Sequence, residues 1–176
     1  FIGQVLAAFL IIYYGRIQIR SMHGFFGIHE LPEMFSLLIS YFSVIVIINS
    51  FNLIDGVDGL AGTLGLMSSA LFGIYFLSKG MAPYYTLAFS LCGSLLAFLI
   101  FNFQPAKIFM GDTGSLLIGV INSILALKFI DPGNGPEFSV PMDASPAIGF
   151  TILMIPLLDT LRVFAIRIFK RRSPFS

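Results

Sequence analysis

Charge is scarce in this chain. Lys, Arg, Asp and Glu together make up 11% of its 176 residues, less than half of the roughly 25% found in ordinary soluble domains. Trp is absent, and there are one Cys and two His. A single Cys92 excludes an internal disulfide and leaves the redox compartment unreadable. Set in an apolar run, it reads as a small packing residue. Three Cys and His side chains, two of them in one connector, give no Cys/His zinc cluster. A net charge of +1 offers no case for a nucleic-acid partner. No internal repeat, low-complexity tract, soluble linker or basic leader with a cleavage site is visible. The apolar stretch FIGQVLAAFLIIYY already contains residue 1, and the chain stops at KRRSPFS. The expectation is a fragment of a longer protein.

What is abundant is hydrocarbon. The chain is 57% hydrophobic with 20 Phe, and its mean hydropathy is +0.93. A helix crosses the apolar core of a bilayer with about 20 residues, and six runs qualify in whole or part: 1–15, 33–51, 63–79, 83–101, 114–130 and 146–169. Lipid cannot hydrogen-bond an open backbone, and the runs lack the period of two that a barrel strand shows. The predicted fold is therefore all-α: a polytopic transmembrane helix bundle forming one integral membrane domain over residues 1–176.

Counting crossings sorts the connectors. Segments 52–62, 102–113 and 170–176 fall on one face, and 16–32, 80–82 and 131–145 on the other. Lys107, Arg167, Lys170, Arg171 and Arg172 lie in or beside the first face, against Arg16, Arg20, Lys79 and Lys128 on the second. The terminal cluster favours a cytoplasmic first face. The stretch DPGNGPEFSVPMDASP reads as an extracytoplasmic loop.

Two polar constellations interrupt this pattern, both on the first face. In NSFNLIDGVDGLAG (49–62), two carboxamides and two carboxylates stand at a membrane boundary. On a helical turn Asp55 and Asp58 would share a face and repel unless a cation or donor lay between them. Gly56, Gly59 and Gly62 allow close approach to a ligand, and a helix starting near Thr63 would aim its positive end into the loop. A solvated turn is the plain alternative, but carboxylates at a membrane edge are costly and usually functional. In NFQPAKIFMGDTGS (102–115), Asp112 precedes a helix whose first turn offers Thr113 and Ser115 as caps. Either Asp112 only caps that helix, or it binds a divalent cation while the helix end and glycine amides meet phosphate oxygens. Asp55, Asp58, Asp112, Asn52 and Asn102 make a set of hard oxygen donors suited to Mg²⁺ or Mn²⁺ shared with substrate phosphates. His23 and His29 fall on the opposite face and read as loop residues, so no Ser-His-Asp arrangement is available. Asp159 and Arg162, three apart just after Pro156, read as a structural ion pair near a kink rather than as substrate ligands.

These two motifs, at this spacing and in this order, resemble the central signature loops of the polyprenyl-phosphate N-acetylhexosamine-1-phosphate transferases, a glycosyltransferase family 4 type that includes the phospho-N-acetylmuramoyl-pentapeptide translocase. The resemblance covers essentially the whole chain. Thr113, with Pro105-Ala-Lys107 before it, is more similar to the branch that uses UDP-N-acetylglucosamine to start cell-surface polysaccharides; the muramoyl-pentapeptide branch usually has Val at that place. The resemblance implies transfer of N-acetylglucosamine-1-phosphate from UDP-N-acetylglucosamine to undecaprenyl or another polyprenyl phosphate, with release of UMP. It implies catalytic roles for Asp55, Asp58 and Asp112, metal binding by Asp112 and Asn52, and substrate contacts from Asn52, Asn102, Lys107, Phe109 and Asp58, with Phe109 stacking on uracil; from the residues alone, Phe109 reads equally as a membrane-edge anchor and Lys107 as a positive-inside anchor. Mg²⁺, with Mn²⁺ as a substitute, is the implied cofactor. The implied partners are a UDP-sugar, a polyprenyl phosphate lipid and the membrane, with no nucleic acid and with a homodimer admitted as an assembly. The implied location is the bacterial inner (plasma) membrane, with the site on the cytoplasmic face. The family's adjacent Asp pair would lie before Phe1 and its His-containing loop after Ser176. The alternatives are the muramoyl-pentapeptide transferase, a cation-coupled transporter, which would place acids near the midplane within a pseudo-repeat, and an assembly subunit without chemistry.

Overall fold

The computed structural model describes residues 2–24, 27–131 and 145–169. Among them the fold is all-helical. The helices are α1 (Ile2–Phe9), continued by a π-turn at Leu10–Tyr14, α2 (Glu33–Ile54), α3 (Leu60–Ser78), α4 (Ala82–Asn102), α5 (Gly111–Ile130), α6 (Ser145–Ile152) and α7 (Met154–Phe169). The one β-type contact described is an isolated bridge between Ser21 and Glu30.

The four helices α2 to α5 are each long and apolar enough to cross a membrane, so the chain is a membrane protein. The expected first and last crossings differ from simple rods. Ile2–Tyr14 is short for a span, and α6 and α7 form one apolar unit bent by 75°. Pro156 explains the bend: its ring clashes with the carbonyl four residues earlier, at Ile152, where α6 stops. The proposed extracytoplasmic loop falls mainly on 132–144, and the basic cluster on 170–176; both lie outside the described residues.

Packing centres on α5, which touches α2, α3, α4 and α6. Lipid tails are as apolar as Leu, so helix association in a bilayer relies on close van der Waals fit, which small residues permit. A Cβ built on Gly119 would lie 2.6 Å from the Ile48 Cα, so α5 and α2 meet backbone to backbone there. Between α3 and α5, the buried Asn122 accepts from Ser68 at 2.7 Å and donates to the Ile118 carbonyl at 3.1 Å, and among the described residues no buried side-chain N or O lacks a partner.

The end remote from the candidate site is closed by segments 16–24 and 27–31, which pair at Ser21 and Glu30. Ile19 N–H donates to Ser40 Oγ at 2.9 Å and the Ile19 carbonyl accepts from Ser36 Oγ at 2.7 Å. Arg20 N–H donates to Asp131 at 2.7 Å, and His23 Nε2 meets the Ile130 carbonyl at 2.9 Å. His23 thus sits against the C-terminal end of α5, and His29 pairs through its carbonyl with Ser21 and Met22 of the same loop. Cys92 is buried in α4 and approaches the Leu66 carbonyl at 3.8 Å, as a packing residue does.

Candidate active site

At the other end converge the C-termini of α2 and α4 and the N-termini of α3 and α5. Two helices thus aim their positive ends at one place. Helix α2 runs three residues beyond the expected boundary, which puts Asn49 and Asn52 on its last turns and makes Asp55 its C-terminal flank. Residues 55–59 are a turn rather than a helical segment, so Asp55 and Asp58 do not share a helix face. Gly59 ends the turn with φ +76°, and a Cβ there would meet the Phe103 ring at 3.1 Å. Both facts call for glycine.

Helix α5 starts at Gly111, φ +64°, and Met110 ahead of it makes no side-chain cap. Asp112 and Thr113 lie within the first turn, so the capping alternative for Asp112 is not realised. Ser115 does not cap either. It is fully buried and bonds back to the Gly111 and Asp112 carbonyls at 3.3 and 3.2 Å.

Across the interface, Asn52 Nδ2 donates to Ser115 Oγ at 3.0 Å and faces Asp112 Oδ1 at 3.4 Å. Asp55 lies close enough to Asp112 for the two to interact: its own partial burial first, and the Asp112 carboxylate second, push the Asp55 carboxyl above its ordinary range. Asp55, Asp58 and Asp112 do not together form a metal-sized group, since among the described residues no three Asp, Glu, His or Cys side chains do. The structure therefore brings together Asn52, Asp55 and Asp112, leaves Asp58 on the exposed turn, and buries Asn102. Asn102 accepts from Gly59 N–H and donates to the Ile108 carbonyl, both at 2.8 Å. Lys107 is exposed on the 103–110 loop, and Phe109 is 77% exposed beside Asp112 in sequence. Two carboxylates, of which Asp112 raises the proton affinity of Asp55 and accepts from the Asn52 amide, make a pair that a hard cation would relieve. Ser115 as a bridge escaped sequence reasoning, although its i,i+3 offset from Asp112 places both on one helix face.

On the far α7, Arg162 meets Asp159 at 2.7 Å, the ion pair expected there. The site's acids stand at helix ends on one side of the bundle.

Residues 1–130 match the family model described as Glycosyl transferase family 4. The chain belongs to glycosyl transferase family 4. It is 37% identical over 153 residues to the Bacillus subtilis (strain 168) protein named probable undecaprenyl-phosphate N-acetylglucosaminyl 1-phosphate transferase, covering 84% of this chain and 41% of that protein. It is 29% identical over 178 residues to the undecaprenyl-phosphate alpha-N-acetylglucosaminyl 1-phosphate transferase of Escherichia coli (strain K12), covering 98% and 47%. It is also 36% identical over 126 residues to the phospho-N-acetylmuramoyl-pentapeptide-transferase of Moorella thermoacetica (strain ATCC 39073 / JCM 9320), covering 72% and 38%. The chain thus spans less than half the length of these relatives. The matched region contains both polar motifs and α2 to α5.

Proposed function

We propose that the complete protein transfers N-acetylglucosamine-1-phosphate from UDP-N-acetylglucosamine to a polyprenyl phosphate in a bacterial plasma membrane, on the cytoplasmic face. The observation that carries this reading is the meeting of Asn52, Asp55 and Asp112 at the ends of α2 and α5. The names of the relatives from Bacillus and Escherichia support the substrate pair. In the reaction an oxygen of the lipid phosphate bonds to the β-phosphorus, the bond from that phosphorus to the bridging oxygen breaks, and UMP leaves with its electron pair.

Phosphoryl transfer needs little covalent help and depends on positioning and charge neutralisation. Asp112 and Asp55 would hold Mg²⁺, or Mn²⁺, with Asn52 keeping Asp112 in place through Nδ2. When bound, the ion would neutralise diphosphate charge and stabilise the departing UMP. The N-termini of α3 and α5 turn backbone N–H groups toward the same space, where phosphate oxygens are favoured. Lys107 would steady a phosphate, the exposed ring of Phe109 would stack on uracil, and Asp58 would contact the nucleotide. An apolar groove between α3 and the α6–α7 bend, lined by Leu64, Met67, Leu71, Leu153, Met154 and Pro156, suits an isoprenoid chain.

The Moorella relative supports a second reading, with a UDP-linked muramoyl pentapeptide as donor; Thr113 favours the first. The test is UMP release by the complete purified protein with each donor. Release from UDP-N-acetylglucosamine that requires polyprenyl phosphate supports the proposal. Release only from the muramoyl donor replaces it with the second reading.

A further inference from the structure

Asn102 ends α4 and is 5% exposed. Its carboxamide is engaged at both ends by backbone groups of two different loops. Oδ1 accepts from Gly59 N–H and Nδ2 donates to the Ile108 carbonyl, each at 2.8 Å. The same junction is reinforced by neighbours. Lys107 N–H donates to the Phe101 carbonyl at 2.8 Å, and the Phe103 ring lies against Gly59, where an added Cβ would stand 3.1 Å from it. The 55–59 turn and the 103–110 loop are therefore one tied unit. Asp58, Lys107 and Phe109 are among the groups this unit leaves exposed.

A buried amide satisfied at both ends acts on its neighbours, not on a ligand arriving from water. We propose that Asn102 is a positioning residue that clasps the Gly59 turn to the Ile108 carbonyl, so that Asp58 and Phe109 form a preset cradle for the nucleotide; this rests on the reading of the site given above. Only a side chain with an acceptor and a donor at this reach makes both bonds. Asp at this position keeps the acceptor for Gly59 but turns a second oxygen toward the Ile108 carbonyl. Ala leaves both backbone groups without their partner.

The complete protein in detergent, as wild type, Asn102→Ala and Asn102→Asp, gives the test. Hydrogen–deuterium exchange is followed in peptides covering 55–60 and 103–110, alongside UMP affinity and the KM and kcat for UDP-N-acetylglucosamine. In both variants exchange should rise in the two loops together while α2, α3 and α5 stay protected. UMP Kd and KM should rise about tenfold, as loss of an outer-shell support does, with kcat changing less. The isosteric Asp variant keeps the question answerable if Asn102→Ala fails to fold. Loosening confined to one loop, or paired loosening with wild-type UMP affinity, overturns the clasp. Wild-type protein that binds no UMP overturns instead the reading of the site, a result distinct from failure of the clasp.

Discussion

Asn52 and Ser115, 63 residues apart, are joined by a 3.0 Å hydrogen bond from the last turn of α2 to the first turn of α5. The bond keeps the Asn52 amide beside Asp112 and ties the site to the interface of two membrane helices. Ser115→Ala removes this bond without touching a carboxylate. One such bond contributes about 1 kcal/mol to stability, so the fold should survive. On the proposed reaction, the half-saturating Mg²⁺ concentration of the complete protein should rise about tenfold or more. Unchanged Mg²⁺ dependence would show that Asn52 needs no such support.

The interface beneath that bond has no room for a side chain at Gly119, whose added Cβ would lie 2.6 Å from Ile48 Cα. Gly119→Val should lower stability by about 3 kcal/mol, the upper end of overpacking costs, and separate Asn52 from Asp112. Gly93, with nothing near its missing Cβ, is the control: Gly93→Ala should stay within about 0.5 kcal/mol of wild type. Thermal unfolding in detergent compares them. Equal melting of the two variants would contradict the close α2–α5 contact.

Asp55 gives a pH prediction. Burial and Asp112 raise its pKa, so the folded protein holds that proton more tightly than the unfolded chain does. The group therefore opposes folding above its raised value, and ceases to do so below the ordinary carboxylate range. In EDTA at pH 7, Asp55→Asn should melt above wild type, and the two should converge as the pH falls toward about 4. Added Mg²⁺ should stabilise wild type more than the variant. A variant that melts below wild type in EDTA at pH 7 would contradict this electrostatic account.

Sidedness is open to thiol labelling in a Cys92→Ser background. Val57→Cys and Lys107→Cys sit on exposed loop positions at one end of the bundle, and Glu30→Cys on the 27–31 segment at the other. An impermeant reagent should reach the first two from the cytoplasm and the third from outside. Labelling of Val57→Cys and Lys107→Cys from opposite sides would contradict the topology.

Long apolar runs made α2 to α5 legible in the sequence, because a bilayer demands continuous hydrophobicity and little else. Their ends were less so. Asn52 reads as a loop residue until the polar groups of the last helical turn are seen facing α5. The break at Leu153 follows from Pro156, but how far α6 and α7 bend depends on what they pack against. The two motifs marked the end of the bundle where α2, α3, α4 and α5 converge. Spacing alone left open that Asp55 and Asp58 would not share a helix face, because residues 55–59 take a turn instead of a helix. Nor does spacing reveal that Asn102 faces inward, since its partners Gly59 and Ile108 lie on separate loops.

The central claim is that Asp112 serves the chemistry at the α5 terminus while Asp159 serves the fold. Asp112→Asn keeps size but removes one strong electrostatic stabiliser, a loss of about 10²–10³ in rate. Asp159→Asn weakens an exposed pair with Arg162, worth about 0.5 kcal/mol, and should leave activity near wild type. The measurement is UMP release from UDP-N-acetylglucosamine by matched amounts of the complete enzyme, with thermal unfolding as the control for damage and with EDTA and Mg²⁺ arms. The account predicts a crippled, folded Asp112→Asn, an active Asp159→Asn, and wild-type activity lost in EDTA and restored by Mg²⁺. An active Asp112→Asn beside an inactive, well-folded Asp159→Asn would contradict it.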